Sequence, residues 1–196
     1  MVRDSNPKKV LVLDNYDSFT WNLVHALEAV GGECVVHRSD RLSLSDVESI
    51  APQRIVLSPG PFGPEQTGIC PAVVRAFGSR IPILGVCLGM QVIARIMGAR
   101  VVPSGRPMHG KASPVRHDNR GVLQGLPNPF AGGRYHSLII DPNSVTQDFE
   151  SSAWSEDGHI MGCRMPGRSV EGVLFHPESF LTEQGVRVFE NFLNVV

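Results

Sequence analysis

The sequence predicts an α/β fold: an open, mostly parallel sheet with helices on both faces, extended by additional antiparallel strands. Three observations predict it. In the first half, short apolar runs alternate with stretches of helical periodicity, as in repeated β-α-β units. In the second half, short apolar runs near Arg134, Ala153, Ile160 and Val170 sit between Gly and Pro signals, and suggest further strands. The 196 residues are 42% hydrophobic and 19% charged, a globular composition that can bury a large core. No repeat, linker or low-complexity block divides the chain, so one domain over 1–196 is expected.

The elements follow in order. Val10-Leu11-Val12-Leu13 reads as a strand buried on both faces. Ser18 can cap the next helix, whose apolar stripe is Phe19, Leu23, Leu27 and Val30 and which Gly31-Gly32 stops. Cys34-Val35-Val36 is a second strand. A short helix follows over 44–50, started by Ser43 or Ser45. Ile55-Val56-Leu57 is a third strand and runs into a Pro/Gly-rich loop over 59–68. Residues 69–77 are predicted helical. Ile83-Leu84-Gly85-Val86 is a fourth strand, followed at once by a helix through Met97. Residues 182–196 form a closing helix with Val186, Phe189 and Phe192 on one side.

Charge and cysteine content narrow the classes of function. A net charge of −1 argues against a nucleic-acid or membrane surface as partner. The seven histidines show no metal-ligand spacing, and the four cysteines show no CxxC or regular spacing, so no metal site and no disulfide framework are expected. The polar opening, Met1 to Lys9, lacks the apolar stretch of a signal peptide. No apolar run approaches bilayer length. A reducing cytoplasm is the expected setting, and it leaves a reactive thiol free.

In open parallel sheets ligands bind beyond the carboxyl ends of the strands. Three segments fall there: Asp14-Asn15-Tyr16-Asp17, Ser58-Pro59-Gly60-Pro61 and Cys87-Leu88-Gly89. Asp14 and Asp17 read as turn formers rather than metal ligands. Gly85-Val86-Cys87-Leu88-Gly89 has the form G-x-nucleophile-x-G, in which a strand turns into a helix within one or two residues. A thiol there lies at a helix N-terminus, where the dipole and free amides favour thiolate. The Leu88 amide points toward an oxyanion formed on whatever Cys87 attacks. Cys34, Cys70 and Cys163 lack the glycine frame and read as small buried hydrophobes.

A thiol nucleophile needs a base, and the base needs an orienter. Val173-Leu174-Phe175 reads as a core strand ending at His176-Pro177-Glu178. Pro177 biases His176 toward extended backbone. Residues two apart in extended chain point the same way, so Glu178 can hold the His176 imidazole. The other histidines have no acid placed in this way, and His25 reads as surface.

These residues resemble a known family. Gly85-Val86-Cys87-Leu88-Gly89-Met90-Gln91 with His176-Pro177-Glu178 is similar to the signature of class I (triad) glutamine amidotransferases, whose fold is flavodoxin-like. Asp14-Asn15-Tyr16-Asp17-Ser18-Phe19-Thr20, Ser58-Pro59-Gly60-Pro61, Met108-His109-Gly110-Lys111, Arg134-Tyr135-His136-Ser137-Leu138 and His176-Pro177-Glu178-Ser179 resemble the glutaminase component of anthranilate synthase, and equally that of aminodeoxychorismate synthase. The resemblance covers nearly the whole chain.

The resemblance implies that Cys87 attacks the side-chain amide of L-glutamine, releases ammonia and leaves a γ-glutamyl thioester. His176 takes the thiol proton and later activates water, and Glu178 orients His176. The backbone amides of Gly60 and Leu88 form the oxyanion hole. Gly60, Gln91, Ser137 (through its backbone) and Leu138 hold the glutamine. His109, Gly110 and Lys111 contact a chorismate-binding synthase component, in a heterodimer or heterotetramer. No cofactor is implied in this subunit, with Mg²⁺ expected only in the partner. Anthranilate synthase, and so tryptophan biosynthesis, is the pathway taken forward. The aminodeoxychorismate enzyme of folate biosynthesis is the alternative.

Two positions depart from the family pattern. Phe62 stands where the loop after Ser-Pro-Gly-Pro continues with glycine, and phenylalanine resists positive φ. Met90 stands where histidine is usual, and methionine can fill that space. A stand-alone thiol hydrolase would explain Cys87 but not the His-Pro-Glu-Ser and Arg-Tyr-His-Ser segments. A non-catalytic binding subunit is opposed by the intact triad.

Overall fold

The structure is a computed structural model that describes residues 7–194. The polar opening and the last two residues of the predicted closing helix lie outside the described residues. In chain order the strands are β1 (Lys8–Asp14), β2 (Gly32–Arg38), β3 (Arg54–Leu57), β4 (Ile83–Val86), β5 (Val101–Pro103), β6 (Lys111–His117), β7 (Phe130–Arg134), β8 (Leu138–Ile140), β9 (Glu150–Ser155), β10 (Ile160–Arg164) and β11 (Val170–Val173). The helices are α1 (Thr20–Ala29), α2 (Leu44–Ile50), α3 (Cys70–Phe77), α4 (Leu88–Ile96) and α5 (Val186–Asn194).

Nine strands form one sheet in the order β2-β1-β3-β4-β11-β10-β9-β6-β7. The first five are mutually parallel. The other four join in antiparallel pairs. β5 and β8 make a separate antiparallel pair. The helices pack in two groups, α1 beside α5 and α3 beside α4. This is the expected α/β architecture, and the order reverses between β1 and β3, where such sheets open a crevice.

The parallel strands are apolar runs because both faces are covered. Val10, Leu11, Val12 and Leu13, and Ile55, Val56 and Leu57, are completely buried. Each such side chain contributes about 1.5–3 kcal/mol. β2 lies at the sheet edge and is only half-buried. α2 starts as predicted at Ser43, which shares a capping box with Asp46.

Several local expectations are corrected. Ser18 does not cap α1. Asp17 accepts from the Phe19 N–H at 2.8 Å, and Asp14 accepts from the Thr20 hydroxyl at 3.0 Å, so two carboxylates set the helix entry. Phe19 precedes the helix and is 37% exposed, so it leaves the stripe that Leu23, Val24 and Leu27 bury. The closing helix starts at Val186, not at 182, because Gln184 takes a left-handed φ of 51° that no α-helix continues through. Val186 is 45% exposed, while Val188, Phe189 and Phe192 are fully buried. β11 ends at Val173 rather than Phe175. Beyond it the chain crosses the sheet, the Leu174 N–H bonding to the Met161 carbonyl at 2.8 Å and that of His176 to Gly133 at 2.9 Å.

Candidate active site

The three predicted loop segments meet at the carboxyl ends of β1, β3 and β4. At the end of β4, Cys87 has φ 51° and ψ −102° and stands as the N-cap of α4. A non-glycine residue there is strained, and the surroundings enforce it. A Cβ on Gly85 would lie 2.4 Å from the Gly89 carbonyl carbon, and one on Gly89 2.3 Å from the Leu57 carbonyl oxygen. Only glycines permit the strand to turn this sharply into a helix against β3. Leu88 opens α4, where its N–H has no acceptor within the helix. The Gly60 loop abuts it: a Cβ on Gly60 would lie 2.7 Å from both Leu88 Cδ2 and the Asn15 carbonyl oxygen. Asn15 holds that loop, its N–H donating to Ser58 Oγ at 2.9 Å and its Nδ2 to the Ser58 carbonyl at 3.0 Å.

The sheet order brings the histidine to the cysteine. β11 runs beside β4, and the Cys87 N–H donates to the Val173 carbonyl at 2.8 Å. Three residues further on, His176 is 3% exposed, and its Nδ1 lies 2.7 Å from Glu178 Oε1. The Glu178 side chain is 1% exposed. The Cys87 thiol is the neighbour that acts most strongly on the imidazole. Burial alone would keep the imidazole neutral. Attraction and contact with Cys87, then the bond and charge of Glu178, outweigh burial and raise its pKa well above the usual value. Asp17 is near enough to feel both: burial raises its carboxyl, the Phe19 amide and His176 lower it, and Glu178 raises it.

Unpartnered polar atoms are rare in a folded interior. Among the described residues the buried side-chain N and O atoms without a partner are Gln91 Oε1, His176 Nε2, Glu178 Oε2 and Ser104 Oγ. Gln91 is 3% exposed and lies one helical turn after Cys87, on the same face of α4. Three of the four thus belong to predicted site residues. Ser104 donates through its backbone N–H to the carbonyl of Ser137, in the segment from Arg134 to Leu138.

The remaining predicted residues lie near but play no part in the triad geometry. Ser137 is exposed in the connection between β7 and β8, and half-buried Leu138 opens β8. His109 and Gly110 are exposed in the turn before β6, and Lys111 opens that strand. Phe62 is 46% exposed and is not among the residues of positive φ, so the loop accommodates it without left-handed strain. Met90 is fully buried over Gly172, where a Cβ would come within 2.8 Å of its Cγ. Asp14 takes the Tyr16 and Asp17 N–H groups and pairs with Arg38, as a turn former does.

Sequence reasoning missed two aromatics. The Tyr135 ring packs edge-on to His176 at 4.9 Å, and Phe19 lies 5.6 Å from Tyr135 and 6.4 Å from His176. Both lay inside segments singled out by resemblance. The signal that could have placed Phe19 was its position ahead of the helix, where it cannot share the stripe.

A strained cysteine at a helix N-terminus, acting on a histidine that a buried carboxylate orients, is an arrangement suited to thiol-dependent acyl transfer. The profile of the family described as "Glutamine amidotransferase class-I" matches residues 11–196, and the chain belongs to that family. It is 52% identical to aminodeoxychorismate synthase component 2 of Klebsiella aerogenes, over 94% of this chain and 99% of that one. It is 48% identical to anthranilate synthase component 2 of Pseudomonas aeruginosa, over 94% of both. A Bacillus subtilis relative, 43% identical over 94% of this chain and 95% of its own, carries both names, aminodeoxychorismate/anthranilate synthase component 2. Among solved structures, a protein of Thermoplasma acidophilum provisionally described as part of a GMP synthase superposes with a TM-score of 0.85 at 25% identity, over 96% of this chain and 93% of that one.

Proposed function

We propose that the chain is the glutaminase component of a chorismate-aminating synthase. The observation that carries this reading is the triad geometry: Cys87 at a positive φ on the N-terminus of α4, its thiol acting on a buried His176 whose Nδ1 lies 2.7 Å from Glu178 Oε1. Cys87 sulfur attacks the side-chain carbonyl carbon of L-glutamine. The oxyanion is received by the amides of Gly60 and Leu88. His176 passes the thiol proton to the departing nitrogen, which leaves as ammonia. Water, deprotonated by His176, then cleaves the γ-glutamyl thioester to glutamate. Glu178 holds the imidazole orientation throughout. Gln91 and the backbone of Ser137 and Leu138 hold the amino-acid end of glutamine. This chemistry draws on no cofactor in the chain.

The ammonia goes to a synthase component, with His109, Gly110 and Lys111 on the surface offered to it. The relatives divide between the anthranilate and aminodeoxychorismate enzymes, and the Bacillus subtilis name joins the two, which supports one glutaminase able to serve either. Mixing the chain with each type of synthase, chorismate and glutamine tests this. Glutamine-dependent amination with at least one is expected, lost in Cys87→Ser while added ammonium salt still supports it. Glutamine-dependent product from Cys87→Ser, or from the synthase alone, contradicts it.

A further inference from the structure

Arg134 ends β7 and, at 2% exposure, is the largest fully buried side chain among the described residues. Its Nε donates to His136 Nε2 at 3.1 Å. Nη1 reaches Ser113 Oγ at 3.3 Å and Asp157 Oδ1 at 3.2 Å. Nη2 reaches Asp157 Oδ2 at 3.4 Å and His159 Nδ1 at 2.9 Å. A guanidinium only donates, so His136 Nε2 must accept. The proton of His136 therefore sits on Nδ1, which donates to the Leu138 carbonyl at 3.0 Å. An imidazolium would set N–H against N–H. Burial first, then the Arg134 charge, lowers the pKa of His136 to about 4, with His159 and His176 adding to the effect and the Leu138 bond opposing it.

The tautomer matters because of what residues 135–138 carry. The Tyr135 ring meets His176, and its hydroxyl lies 3.0 Å from Ser179 Oγ. The His136 carbonyl accepts from the Met108 N–H at 3.0 Å and that of Ser137 from Ser104 at 2.9 Å. Both sides of this connection are thus tied to other segments, and the His136 ring braces it from within.

We propose that His136, held by Arg134 as the neutral Nδ1–H tautomer, is a positioning residue that fixes residues 135–138 for the amino-acid end of glutamine. The inference rests on the glutaminase reading above. Two near-isosteric variants separate its bonds. His136→Asn keeps a donor at the Nδ1 position and with it the Leu138 bond. His136→Gln keeps an acceptor for Arg134 and loses the Leu138 bond. In the complex with the synthase, His136→Gln raises KM for glutamine about tenfold with kcat within about twofold, and His136→Asn returns KM to within about threefold of wild type. An unchanged KM in His136→Gln, an equal rise in both variants, or a fall in kcat alone overturns the proposal. Nitrogen NMR of the wild-type ring tests it without any variant or turnover. An Nδ1–H, Nε2-bare imidazole from pH 6 to 8 is expected, and an Nε2–H tautomer or an imidazolium overturns it. A wild-type complex that shows this tautomer yet hydrolyses no glutamine would instead remove the glutaminase reading and, with it, the substrate role given to His136.

Discussion

Cys87 differs from the other three thiols by its backbone rather than its burial. Cys34 and Cys70 are pushed up to about 12, by burial first in both and by Glu28 in addition at Cys34. Full burial raises Cys163 as well. None of those three sits on a positive φ, and Cys87 does. The glycine frame that allows it is testable. Gly89→Ala places a Cβ 2.3 Å from the Leu57 carbonyl oxygen. It is expected to cost about 1–3 kcal/mol, the cost of forcing an extra methyl into packed structure, and to lower the thermal midpoint. An unchanged midpoint would mean the elbow is not held against β3. His176→Ala should slow glutamine hydrolysis by about 10²–10⁴-fold in a steady-state assay, the usual worth of a general base. At this scale the sequence was readable where chemistry demands a residue type and spacing, as at Cys87, His176 and Glu178. It was silent at Phe19 and Tyr135, whose contacts with His176 join segments far apart in the chain.

His136, in the connection between β7 and β8, is one source of acid sensitivity in the fold. His136 is neutral in the folded chain and free to protonate when unfolded. Between its ordinary value near 6.5 and about 4, the unfolded chain binds more protons, so stability is full above that window and falls as pH falls through it. From pH 7 to 4.5 this group alone removes about 2–3 kcal/mol. Urea midpoints of wild type and His136→Asn at both pH values check this, since the variant lacks the titration. Parallel acid losses in the two would refute it. The strands legible in sequence were β1, β3 and β4, apolar runs buried on both faces, the edge strand β2, and β7, β9, β10 and β11, each marked by a short apolar run. β5, β6 and β8 were not. β5 and β8 have three residues each, and β6 holds Pro114 and a single buried hydrophobe, Val115. Such strands owe their place to the sheet they extend, not to their own pattern. The late start of α5 was hidden for a related reason. Gly185 packs against Pro177, where a Cβ would lie 2.1 Å from its carbonyl oxygen, so the turn after the site decides where the helix begins.

The whole sheet assembles the site from strands distant in sequence and adjacent in order. β3 brings the Gly60 loop, β4 brings Cys87 and β11 brings His176, side by side. No helix among the described residues is long and apolar enough to cross a membrane. The same end of the molecule bears exposed aromatics on the loops that carry site residues: Phe19 at 37%, Phe62 at 46% and Phe180 at 92%. A side chain as exposed as Phe180, two residues after Glu178, fits a surface that a partner covers. Phe180→Asp is expected to leave thermal stability unchanged and to weaken binding of the synthase about tenfold or more by titration calorimetry. Unaltered affinity would remove Phe180 from that surface. The central claim is that Cys87 is the nucleophile that takes glutamine. Treating the chain with a diazo-ketone analogue of glutamine and mapping the adduct by peptide mass spectrometry tests it most directly. Labelling of Cys87 alone, prevented by excess glutamine and absent in Cys87→Ser, is the result expected. Labelling of Cys34, Cys70 or Cys163, or an unmodified Cys87 after full inactivation, would contradict it.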